Sequence, residues 1–295
     1  MNILFLSPAT QMDYQCDTLL IGLRQLYGDS VVDYPRIPYL YQDYGDTSAL
    51  YGHGFSTTRI LPSDMAVDRD DIPAKIAAHF YDLIIYGSVH RDHRWLDLVT
   101  ARYRHHEVLF IDGEDQSYGL YSLCLRGLYF KRELYSPHEG VFPIFFGIPA
   151  SKIGTLKSTP KTKVRALIDP RDRSTYIYTR EADYYADYAS SLFAITMKKG
   201  GWDTMRTLEI MANGCIPLFL DLDQCPPTTC VNLPKAALAE ALTYFDRDGL
   251  YWDTDEGHAV WTSLWRRIHL PFVCRSTTER LAQYVIETQQ REAAQ

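Results

Sequence analysis

The sequence predicts a doubly wound α/β protein built in two halves. Three observations carry that expectation. The chain opens on a short, wholly apolar run, Asn2 to Leu6 (NILFL), closed by Ser-Pro, as the first buried strand of a parallel sheet does. Short apolar runs then alternate with stretches of helical periodicity. A segment rich in Lys, Ser, Thr and Pro, Lys152 to Lys163, interrupts the alternation and suits an interdomain connection.

In order, the first strand is followed by a helix over Asp17 to Leu26, with Asp17 as its N-cap and Gly28 just past its end. Ser30 to Tyr34 is the second strand. From Pro35 to about Asp70 the pattern gives way to Tyr, Gly, Asp and Pro, and a loop of that length is expected to be functional or mobile. A helix at Ile72–His79, a strand at Leu83–Tyr86, a helix at Trp95–Tyr103 and a strand at Glu107–Ile111 follow, the last running into Asp112-Gly113-Glu114-Asp115. A strand near Leu128–Phe130 leads into Lys131-Arg132-Glu133. The first domain is expected to span residues 1–149 and the second 150–295, with the last helix able to pack back on the first domain. The second contains a strand at Arg165–Ile168, a helix at Glu181–Ser190 and a strand at Leu192–Ile195. After a glycine-rich loop come a helix at Asp203–Asn213, a strand at Ile216–Leu220, a helix at Leu233–Tyr244 and a final helix at Thr277–Gln290.

The chain has 295 residues, enough for two ordinary domains. Its net charge of −7 gives no global field toward nucleic acid or anionic membrane. The 22 tyrosines offer apolar faces with a polar tip, which suit a sugar- or base-binding cleft, although most are expected simply to fill core and surface. Six dispersed cysteines show no disulfide framework. No signal-peptide pattern is evident, and no apolar run approaches the roughly 18 residues of a membrane span. The expected setting is cytoplasmic and reducing.

One segment concentrates the chemistry: Lys198 to Pro217, KKGGWDTMRTLEIMANGCIP. Gly200 and Gly201 feed a helix whose N-terminal amides and dipole favour a phosphate, with Lys198 and Lys199 adding charge. Arg206, Glu209 and Asn213 form a polar stripe at i, i+3 and i+7. Spacing alone is equally that of an amphipathic surface helix, and the loop lacks the spacing of a P-loop or dinucleotide fingerprint.

The run GWDTMRTLEIMANGCIPLF resembles the donor-site segment of GT-B glycosyltransferases, especially exostosin-like ones. IDGED, YFKREL, FPIFFGIP and YGHGFSTT (51–58) are similar to segments of related bacterial and viral sugar transferases. Together these cover less than a third of the chain, in consistent order. The resemblance implies two Rossmann-like domains with a cleft between them, a nucleotide-diphosphate sugar as co-substrate and no metal or other cofactor. It implies Arg206 and Lys199 on the donor diphosphate, within a site of Lys198, Lys199, Gly200 and Gly201, and Glu209 on the ribose. The acceptor is expected to be a saccharide or glycoconjugate hydroxyl. A hydroxymethylated DNA base is an alternative acceptor, and a non-catalytic nucleotide-sugar or glycan-binding protein is an alternative class.

An inverting transfer needs a base for the acceptor proton. The candidates are Asp112, Glu114 and Asp115 at a strand's carboxyl end, where α/β ligand sites collect, and Asp13 in the first strand-to-helix loop. Each is also an ordinary turn or cap residue. Lys131, Arg132 and Glu133 are either cleft contacts or an exposed charge run. Asp221-Leu222-Asp223 matches a metal-binding DxD, but the pattern recurs three times elsewhere. His90, His93, His105 and His106 lack the convergent partners that a zinc site needs, but His90 follows the strand at Leu83–Tyr86 into a loop expected to face the cleft, where a donor or acceptor contact is open to it.

Overall fold

The computed structural model describes residues 1–63, 66–154 and 159–295. A six-stranded sheet forms the first half: β1 (Ile3–Leu6), β2 (Val31–Tyr34), β3 (Leu83–Tyr86), β4 (Val108–Asp112), β5 (Leu128–Lys131) and β6 (Val141–Pro143). Every pairing is parallel, in the order β2-β1-β3-β4-β5-β6. The strands are short runs buried on both faces, so successive side chains feed two cores. Ile3, Phe5, Ile85, Leu109 and Phe130 point into one core, which holds Leu19, Leu20 and Leu23 of helix α1 (Tyr14–Tyr27). Leu4, Leu6, Ile84, Phe110 and Tyr129 point into the other, against Ile72 and Ile76 of α2 (Ile72–Ala77) and Val99 of α3 (Leu96–Arg102).

The second sheet has three parallel strands in chain order, β7 (Lys163–Arg165), β8 (Ser191–Thr196) and β9 (Ile216–Phe219). Helix α4 (Glu181–Ala189) packs Tyr184 and Tyr188 on one side of it, with Ala194 and Ile210. Helix α5 (Met205–Ala212) joins β8 to β9 and puts Met205, Leu208 and Met211 in the other core. Gly214 ends it at a left-handed φ of 67° that a β-carbon would strain. Helices α6 (Lys235–Leu242), α7 (Gly249–Trp252) and α8 (Asp255–Arg275) complete that core through Leu238, Trp252, Leu264, Trp265, Ile268 and Phe272.

The last helix, α9 (Thr278–Ala293), returns to the first sheet. Leu281, Ala282, Val285 and Ile286 lie in the same core as Leu19 and Leu20 of α1. The approach is so close that a β-carbon on Gly22 would stand 1.9 Å from the Thr278 carbonyl oxygen.

Several elements differ from the sequence expectation. Helix α1 starts at Tyr14, because Asp13 is its N-cap and accepts the Cys16 amide at 3.2 Å. Asp17 is instead fully buried and accepts the Tyr39 hydroxyl at 2.9 Å. Strand β7 lies at 163–165 rather than 165–168. Helix α5 begins at Met205, because the Asp203 side chain is turned away from the helix into the first half. Strand β6 and helices α7 and α8 were not expected. Of the connection at Lys152–Lys163, residues 155–158 lie outside the described residues.

Candidate functional site

The chain leaves β1 toward β2 on one side, while β3 pairs on the other. The carboxyl ends of β1 and β3 therefore flank the switch point at which α/β sheets open a crevice. Asp13 sits there. Beyond capping α1, it accepts the Ser88 hydroxyl and an Arg91 N–H, both at 2.9 Å. Arg91 also binds Glu114 at 2.6 Å, linking the loop after β1 to the loop after β4. These contacts give Asp13 and Glu114 structural roles.

Asp112, at the end of β4, has no solvent exposure. Its carboxylate accepts from the Tyr129 hydroxyl at 2.6 Å, the Lys131 ammonium at 2.9 Å and His90 Nε2 at 3.0 Å. Burial lowers the Lys131 amine, and Asp112 draws it back toward its ordinary value. A carboxylate so enclosed cannot meet an acceptor hydroxyl, so its reading as the base is replaced. What it does is hold the imidazole of His90, whose side chain is 19% exposed. Among the described residues Nδ1 of that ring makes no hydrogen bond. Sequence reasoning gave His90 only a ligand contact; the signal was its place just after β3, two residues beyond Ser88.

Lys131, Arg132 and Glu133 are neither an exposed charge run nor open to the cleft: all three are buried. Arg132 binds the Gly113 carbonyl at 3.0 Å, Glu133 at 2.8 Å, the Asp203 carbonyl at 2.7 Å and the Asp115 carboxylate, and it stacks 4.6 Å over Phe146. Glu133 accepts the Asp203 amide at 3.2 Å, and Asp203 accepts the Phe146 amide at 2.7 Å. These charges form the seam between the halves. Burial pushes the Asp203 carboxyl up to about 7 despite the Arg132 charge.

The glycine loop closes on this seam. A β-carbon on Gly200 would stand 1.9 Å from an Asp115 oxygen, and one on Gly201 would stand 2.5 Å from Glu133 and 2.7 Å from Arg132. Gly201 is buried against the Glu133 carboxylate and the Arg132 guanidinium, so its reading as an open, phosphate-facing amide is replaced by one of close approach. The Lys198 amide is held by the Asp221 carboxylate at 3.1 Å, and its ammonium lies 5.1 Å over the Trp202 ring.

Lys199 and Arg206 do converge. Both donate to the Tyr176 hydroxyl, at 2.9 and 2.7 Å, and lie 5.3 and 5.0 Å over its ring. Lys199 also reaches the Pro170 carbonyl at 3.4 Å. Among the described residues neither cation is in an ion pair, and Arg206 Nε is buried with no acceptor. Burial works against the Arg206 charge, but the surrounding Tyr184, Tyr188, Tyr176 and Glu209 more than offset it and raise its pKa.

Glu209, three residues on, is enclosed. It accepts the Tyr184 hydroxyl at 2.9 Å and the Ser56 hydroxyl, and burial raises its carboxyl pKa. Ser56 comes from the 51–58 loop of the first half, which inserts beside α4. Its amide donates to Glu181 at 2.8 Å, and Phe55 stacks on Tyr184 at 5.6 Å. A cleft of about 740 Å³ opens beside this insertion, lined by Asp46, Ser48, His53, Phe55, Lys152 and Glu181 among others.

Among the described residues no trio of His, Cys, Asp or Glu is placed to hold a metal ion, and no helix is long and apolar enough to cross a membrane. No protein-family model matches the sequence, and no curated protein matches it.

Proposed function

We propose that this protein is a glycosyltransferase of GT-B type that takes a nucleotide-diphosphate sugar and transfers the sugar to a hydroxyl of a saccharide or glycoconjugate. The observation that carries the reading is the pair Lys199 and Arg206, two cations that form no ion pair among the described residues, meeting at one phenol oxygen. A diphosphate offers the same acceptor chemistry with formal charge, and charge-assisted contacts from Arg are roughly twice as strong as neutral ones. The same cations would stabilise the departing nucleotide as the glycosidic bond breaks.

His90 is the proposed base. Asp112 fixes its Nε2, leaving Nδ1 to take the acceptor proton. The cleft beside the 51–58 loop has the size of a small-ligand site and mixes an aromatic face with acid and hydroxyl groups, which supports a saccharide acceptor.

A thermal-shift screen of UDP-, GDP-, ADP- and CMP-sugars tests the donor. One class should stabilise the protein selectively, and Arg206→Ala should weaken that binding by about 1–3 kcal/mol. Absence of stabilisation by every nucleotide sugar, or unchanged binding by the variant, would defeat the assignment. Binding without turnover or slow hydrolysis of the donor would favour a binding protein.

A further inference from the structure

The segment between β9 and α6 carries two cysteines that the proposed transfer does not use. A short turn at Leu222–Gln224 brings the chain to Cys225, and Pro226-Pro227-Thr228-Thr229 then doubles back. The Thr229 amide donates to the Pro226 carbonyl at 3.1 Å. The sulfur of Cys225 lies 3.6 Å from the Pro226 carbonyl oxygen and 4.0 Å from that of Thr229, the residue before Cys230. Cys230 itself takes a left-handed φ of 50°, uncommon for a residue with a β-carbon. The Cys225 sulfur thus lies against the backbone that enters Cys230, and it packs on the same apolar cluster in which Cys230 is buried.

Their environments differ in the way a nucleophile and a resolving thiol differ. Cys225 is partly exposed and Cys230 fully buried. The Cys230 thiol and the Lys235 ammonium draw the Cys225 pKa down, while the contact with Cys225 and burial push Cys230 up. Lys235 stands at the first turn of α6 and ties the Pro226 and Thr229 carbonyls at 2.8 and 2.5 Å. The same turn docks on the first half, through the Thr228 and Thr229 hydroxyls on the Leu134 carbonyl, one residue past Glu133.

We propose that Cys225 and Cys230 are a reversible thiol-oxidation site, which small disulfides of the glutathione class convert to an intramolecular disulfide beside the seam. The Cys225 thiolate attacks one sulfur of the small disulfide and expels one thiolate, leaving a mixed disulfide. The Cys230 thiol passes its proton to the expelled thiolate and attacks the Cys225 sulfur, expelling the second. Two protein thiols are oxidised and one small disulfide is reduced to two thiols.

The full-length chain is equilibrated with oxidised glutathione, quenched in acid, alkylated and cleaved before its aspartates, which parts Cys215 from the pair. The peptide holding both cysteines should be two hydrogens lighter, unalkylated, and restored by dithiothreitol. Cys230→Ser should stop at a glutathione adduct on Cys225. In the reduced protein, alkylation of Cys225 near neutral pH should be on the order of tenfold faster than that of Cys124, whose thiol burial pushes up. A wild-type protein that accumulates the glutathione adduct at Cys225 while Cys230 stays free to alkylate overturns the proposal. So does a Cys225 that reacts no faster than Cys124.

Discussion

Replacing Asp203 with Asn probes the seam through its pH dependence. The Asp203 carboxyl rises from 3.8 to about 7, with burial as the main cause and Arg132 opposing it. The native state therefore holds a proton that the unfolded chain has already released between those pH values. With the unfolded state binding fewer protons, stability falls as pH rises. The contribution is intact below about pH 4 and is lost as pH passes through 7. A shift of about three units at about 1.4 kcal/mol each sets the scale at about 4 kcal/mol. Asn does not titrate, and its side-chain oxygen can still accept the Phe146 amide, bound at 2.7 Å in the native protein. Urea unfolding of both proteins between about pH 4.5 and 8.5 measures the effect. Taking the difference between them cancels other buried acids such as Glu209, whose pKa is also raised. The wild type should lose on the order of 3–4 kcal/mol relative to the variant across that range. A difference independent of pH, or a wild type that gains on the variant as pH rises, would refute the argument. The latter would mean that Asp203 is ionised and held by Arg132.

Three further outcomes are expected. His90→Ala should lower the turnover of the proposed sugar transfer by at least about 100-fold, while calorimetry shows donor binding unchanged. Lys131→Met should destabilise the fold by about 3–5 kcal/mol in urea, because it leaves the buried Asp112 carboxylate without its cation; the double variant with Asp112→Asn should recover part of that loss. Gly22→Ala should cost about 3 kcal/mol, the upper part of the overpacking range, since the new carbon meets the Thr278 backbone rather than a movable side chain. A melting curve like that of the wild type would show that α9 can shift off α1.

Features that depend on local pattern are legible in the sequence. Runs such as LIIY at β3 and IPLF at β9 are buried on both faces, so their composition alone marks them as strands of a parallel sheet. Helix α8 was missed although Leu264, Trp265, Ile268 and Phe272 recur at helical spacing, because Pro271 lies inside it and charged residues interrupt the apolar stripe. Strand β6 has three residues, fewer than any periodicity needs to register. The cap of α1 was displaced to Asp17 because the apolar run from Leu19 begins just two residues beyond it. Only the Tyr39 hydroxyl, 22 positions away, shows that Asp17 belongs to the core.

At the site, the division falls between charge and partner. Lys199 and Arg206 were legible as cations near a helix entry, but that they meet at Tyr176 depends on a loop thirty residues upstream of Arg206. The glycines show the same limit from the other side. A pair of glycines before a helix is a phosphate signature only if the amides face open space. Here the small residues are required because Asp115, Glu133 and Arg132 of the first half press against them. A substitution at Gly201 therefore disturbs the seam whether or not a donor binds, and loss of activity in such a variant carries no information about phosphate recognition. Tyr176→Phe does carry it: the change removes the oxygen that both cations now share and leaves the seam intact. Their charge is then less satisfied, so a donor that binds at Lys199 and Arg206 should bind more tightly to the variant, and one that binds elsewhere should not.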